Sequence, residues 1–152
     1  MRKAALALFF VAVAMAADSR PKVRAVTAFI SIDRTHYETQ FADTMKFLDG
    51  AAEAYRAAGF EVEGVRIATQ PFPEYIRGMK PDEALAFLKK IDALATRLKF
   101  RPNIGAAMVR DSDDTAPLDV LVKALSSTGL NASLVTAADD GIHWRALREA
   151  AR

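Results

Sequence analysis

Cysteine is absent from all 152 residues, which excludes disulfides, a lipid-modified cysteine anchor, an iron–sulfur cluster and a thiol nucleophile within them. Histidine occurs only at His36 and His143, outside any His-Glu-x-x-His pattern, so no metal ligand set is expected. The glycine-rich signatures of dinucleotide and P-loop binding are missing, as is the Gly-x-Ser-x-Gly elbow of serine hydrolases. No cofactor can therefore be named. Long hydrophobic runs are also lacking: the stretch Ala4 to Ala14 falls short of the roughly 20 residues a membrane span needs.

That short run has another reading. Arg2 and Lys3 precede it and Ala14-Met15-Ala16 follows with small residues where a signal peptidase requires them. Residues 1–16 are read as a cleavable signal peptide, 17–22 as a polar linker and 23–152 as an α/β domain. The expected location is periplasmic or secreted, with no stable membrane span after cleavage. The formal charge of +2 disappears when Arg2 and Lys3 leave, and no basic stripe with interleaved aromatics remains. Nucleic acid is not an expected partner. Hydrophobic residues at 51% and charged residues at 26% are those of a globular domain, not of a disordered chain.

Four strand–helix units follow. Val23 to Ile32 is β-branched and apolar and predicts a buried strand. Thr35 and Glu38 have capping-box spacing, and Phe41, Met45, Leu48, Ala52 and Tyr55 line one helical face that Gly59 ends. Phe60 to Ala68 predicts a second strand, with Gly64 marking a bulge. A loop with a short helical turn near Glu74 to Gly78 leads to a helix opened by Pro81 and carrying Leu85, Leu88, Ile91, Leu94 and Leu98. Asn103 to Val109, an acidic loop Asp111 to Asp114, and a helix over Pro117 to Ser127 make the third unit. Leu130 to Thr136, a loop Ala137 to Asp140, and a helix from about Ile142 make the fourth. Strands separated by helices predict a parallel sheet covered by helices. Four strands cannot close a barrel, which needs about eight, so the expectation is part of a larger β/α barrel, incomplete at its C-terminus. An unpaired sheet edge makes a homo-oligomer an alternative.

Several segments carry a resemblance. Val23-Arg24-Ala25-Val26-Thr27 through Ile32-Asp33, Gly59-Phe60-Glu61-Val62, and Val65-Arg66-Ile67-Ala68-Thr69-Gln70-Pro71-Phe72 resemble the bacterial family known as domain of unknown function 711. Asn103-Ile104-Gly105 and Gly141-Ile142-His143-Trp144 extend the likeness over the chain that follows the signal. The resemblance implies the N-terminal portion of a longer protein with a pyruvate formate-lyase-like barrel fold. It does not imply glycyl-radical chemistry, which requires an active-site cysteine.

Ligands of parallel α/β proteins bind where loops gather at the carboxyl ends of strands. That rule selects Asp33, Arg66, Thr69, Asp111 and His143 as ligand-binding candidates, within a rim that includes Ser31, Arg34, Gln70, Arg110, Thr136, Asp139 and Asp140. Arg66, between Val65 and Ile67, requires an anion, either a bound carboxylate or phosphate or an internal partner such as Asp33 or Asp111. Asp111, Asp113 and Asp114 lack EF-hand spacing and fit helix capping better than metal ligation. The two histidines fit an acid/base role or a structural one. The functional expectation is an enzyme domain for a small anionic or polar metabolite; the alternatives are a non-catalytic periplasmic binding or structural module and an inactive fragment.

Overall fold

A computed structural model describes residues 20–151 of the chain. The signal-peptide reading and the first part of the linker lie outside the described residues. Strands β1 (Val26–Ile30), β2 (Val65–Thr69), β3 (Arg101–Ala106) and β4 (Asn131–Ser133) form one parallel sheet in the order β1-β2-β3-β4. Helices α1 (Tyr37–Ala57), α2 (Phe72–Ile76), α3 (Pro81–Leu98) and α4 (Ala116–Leu125) fill the connections, and α5 (Trp144–Ala150) follows the sheet. The expected α/β class and the parallel sheet of four units are both present.

The sequential strand order has a consequence for the layers. Crossovers of one hand, taken in sequence order, place every helix on the same side of the sheet. Burial along the strands agrees. Val26, Ala28, Ile30, Ile67, Ile104, Ala132 and Leu134 face the helices, joining a core with Phe41, Leu48, Leu88 and Ile91. The alternate positions Thr27, Arg66, Arg101, Asn131 and Ser133 are exposed, and Phe29 is 83% exposed. Among the described residues the sheet is therefore covered by helices on one face only. Its open face is polar apart from Phe29 and Ala68, and nothing described packs there.

Most helices form where their apolar spacing predicts. On α3, Leu88, Ile91 and Leu94 are buried, and Pro81 opens the helix. There the amide of Lys80 donates to Glu83 Oε2 at 3.1 Å. At the start of α1 the expected Thr35–Glu38 capping box does not form. Asp33 Oδ1 instead accepts from the Thr35 amide at 2.7 Å and from its hydroxyl, and the helix begins at Tyr37, which puts His36 and not Thr35 at the N-cap position. The register irregularity lies between Asn103 and Ala106 on β3, not at Gly64. The segment read as a loop at Ala137 to Asp140 is a small hairpin, β5 (Ala137–Ala138) antiparallel to β6 (Gly141–Ile142). Of the linker, Arg20 stacks over Phe60 at 5.5 Å and Lys22 pairs with Glu61 at 2.9 Å.

Candidate functional site

The carboxyl ends of β2 and β3 open into a cleft of about 700 Å³. Two connections make its walls. After β2 the chain turns through Pro71 and Pro73 into α2, whose Tyr75 hydroxyl donates to the Ile104 carbonyl at 3.2 Å and fastens the helix to β3. Burial pushes the Tyr75 phenol well above its ordinary value, so it stays a donor. The turn Arg77-Gly78-Met79 then leads into α3. On the opposite wall, β3 continues through Ala107 and Val109 to Arg110, Asp113 and Asp114, and then α4 begins. Pro71, Ile76, Met79, Ala84, Ala107 and Val120 supply an apolar floor.

The acidic loop is held by its own backbone. Asp113 Oδ2 accepts from the amides of Arg110 at 2.9 Å and Val109 at 2.8 Å, and the Arg110 bond is the main reason its carboxyl is held below the ordinary value. Asp114 Oδ1 accepts from the Ala116 amide at 3.0 Å at the start of α4. Asp111 reaches further along the chain. Its Oδ1 accepts from the amides of Arg145 at 2.6 Å and Ala146 at 3.0 Å, capping α5 and not the helix that follows it in sequence.

His143 locks the neighbouring loop. It is 2% exposed, with Nδ1 at 2.9 Å from the Val135 carbonyl and Nε2 at 2.9 Å from Asp140 Oδ1. A carbonyl and a carboxylate both only accept, so each ring nitrogen must carry a proton. The Asp140 hydrogen bond, followed by that of Val135, raises the His143 pKa above 6.5. The same bond holds Asp140 below its ordinary value. No ring nitrogen remains for a substrate, so the imidazolium serves as a fastener.

A pH dependence follows. A histidine raised in the folded state stabilises fully below its unfolded pKa, and that contribution is lost as pH rises through the folded value. Asp140 is lowered, so its contribution is present above its unfolded pKa and is lost as pH falls through its folded value. The melting temperature should fall as pH rises from about 6.5 through the raised folded value of His143, and Asp140→Asn should flatten that slope. A slope unchanged in Asp140→Asn would remove His143 as its source.

The structure separates the sequence candidates into four places. Asp111 and His143 come together beside Arg110 and Asp140. Thr69 is 8% exposed, and its hydroxyl donates to the Gln70 carbonyl at 3.0 Å and faces the Tyr75 hydroxyl at 3.4 Å. Asp33 is exposed beyond β1, and the hydroxyl and amide of Thr35 lower its carboxyl to about 2. Arg66 is at the other end of the sheet. It is the second residue of β2, paired with Thr27 and Arg101 at the strand starts. Its placement near a strand's carboxyl end is thus corrected, because β2 begins at Val65 rather than at Phe60. Sequence reasoning assigned no role to Arg77, which lines the cleft. Its signal was its position just past a short helical turn at a strand exit.

A family model described as "Uncharacterised ACR (DUF711)" matches residues 14–152. No curated protein and no solved structure matches the chain.

Proposed function

The chain belongs to the DUF711 family, and from that premise we propose that it binds a small organic anion, a carboxylate with an apolar body, in the cleft at the carboxyl ends of β2 and β3. The observation that carries this reading is the state of the charges around the cleft. Among the described residues, neither the Arg77 nor the Arg110 guanidinium lies within salt-bridge distance of a carboxylate. Two of the three acids lining the cleft, Asp113 and Asp114, are already engaged by backbone amides. Those acids keep their charge, so the two guanidinium groups hold a carboxylate by directed, paired hydrogen bonds and not by net charge, and the apolar floor suits the remainder of such a ligand.

The expected ligand raises the melting temperature of the protein, since it binds only the folded state. A panel of short carboxylates such as hexanoate, phenylacetate and succinate identifies it. Arg110→Gln and Arg77→Gln should each weaken a hit by about tenfold or more. A hit whose affinity survives the double substitution would remove the cleft from consideration. His143, with both nitrogens engaged, favours binding over acid/base catalysis within this chain.

The open sheet face favours a second reading, of larger architecture. Sequential parallel strands with helices on one side form the wall of a β/α barrel, with Phe29 toward its interior. The exported location rests on Arg2, Lys3 and the run to Ala14. Intact mass and N-terminal sequencing of the native protein test both. A mass above 16.6 kDa and a start at Ala17 are expected; a smaller mass counts against the barrel, and a retained Met1 counts against cleavage.

A further inference from the structure

We propose a second anion site, at the amino-terminal end of the sheet, for a small ligand with adjacent phosphate groups such as pyrophosphate. A cavity of about 400 Å³ there is lined by Arg24, Arg66, Lys99 and Arg101, with Glu63 as its one carboxylate. The register sets Arg66 directly beside Arg101. Neighbouring strands are about 4.8 Å apart, and like charges placed directly opposite each other destabilise a sheet. Among the described residues, no salt bridge relieves these four cations.

The fold brings the cations from three separate segments. Arg66 and Arg101 stand in one row on the open face, at the starts of β2 and β3. Arg24 precedes β1, and Lys99 ends α3. Lys99 has φ 59°, the only positive φ of a non-glycine residue among those described. Glycine or asparagine would take that conformation at less cost, so the position retains a cation where a neutral residue suits the backbone better. With Glu63 counted, a ligand with one negative charge leaves two of the four cations unmatched. Two adjacent phosphates match them, and arginine forks bind phosphate oxygens in pairs.

Isothermal titration of the full chain at fixed ionic strength tests the site. Pyrophosphate should bind, and acetate should bind at least tenfold more weakly or not at all. Arg66→Gln and Arg101→Gln should each reduce pyrophosphate affinity by about tenfold. Both residues are exposed, and losing one charge of the pair relieves repulsion. The melting temperature of each variant without ligand should therefore equal or exceed that of the parent, which separates lost binding from lost folding. Arg24→Gln provides a further variant outside the strands. Arg110→Gln should leave pyrophosphate binding unchanged, so failure of the cleft reading does not affect this one. A nucleoside diphosphate in a parallel arm identifies the source of the phosphates, and tighter binding of either ligand supports the site. Absence of pyrophosphate binding, undiminished binding in Arg66→Gln/Arg101→Gln, or loss in Arg110→Gln would each overturn the proposal.

Discussion

Gly105→Ala is expected to destabilise the protein by about 3 kcal/mol or more, among the largest effects of any single methyl group added to this chain. Gly105 has φ 77°, a left-handed conformation that costs an L side chain about 1–2 kcal/mol by itself. A Cβ there would also lie 2.4 Å from the Gln70 carbonyl oxygen, 2.6 Å from its carbon and 2.8 Å from the Thr69 oxygen. These are backbone atoms of β2 and its exit, and they cannot rotate aside as a side chain would. To accommodate the methyl, β2 and β3 must separate at the end where the cleft opens. Gly78→Ala makes the control: φ is 79° and nothing lies within 4 Å of the added carbon. It should cost only the conformational part. Chemical denaturation of both variants decides the matter, and equal losses would show that the strands yield easily at Gln70.

Phe41→Ala should cost about 3–5 kcal/mol, whereas Tyr55→Ala should cost under about 1 kcal/mol. Both residues lie on one apolar stripe of α1, and by spacing alone they are equivalent. Phe41 is fully buried and stacks on Phe100 with ring centroids 5.2 Å apart. Its removal leaves a cavity at the junction of α1 and the turn into β3, bounded by side chains that cannot all collapse into it. Tyr55 is 46% exposed and meets only the edge of Phe60 at 6.0 Å. Water replaces the lost ring there. Similar losses in the two variants would mean that the carboxyl half of α1 packs against something beyond the described residues.

Much of the fold was legible. Apolar spacing marked α1 and α3 closely, Gly59 and Pro81 marked a helix end and a helix start, and the alternation of strand and helix implied parallel pairing. The one-sided sheet was also written into Val65-Arg66-Ile67, where a cation between two aliphatic residues signals an exposed face. Arg66 was instead read as a charge inside a buried strand, because parallel strands are ordinarily buried on both faces. The candidate site was far less legible. Asp111 looked like a cap for the helix that follows it but caps α5, 34 positions along the chain. His143 looked available for chemistry, yet Val135 and Asp140 use both its nitrogens.

Local chemistry is what the residue order determined alone: which segments coil, which extend, where glycine or proline interrupts them, and that the strands run in one direction. These follow from backbone sterics and apolar periodicity, which act over a few neighbouring residues. Tertiary structure decided which charges meet. Arg77 joins Arg110 across a cleft and Arg66 joins Arg101 across a strand pair because side-chain direction and strand register depend on where each strand starts. A start at Val65 instead of Phe60 moved Arg66 from one end of the sheet to the other, and no local preference is strong enough to set that choice.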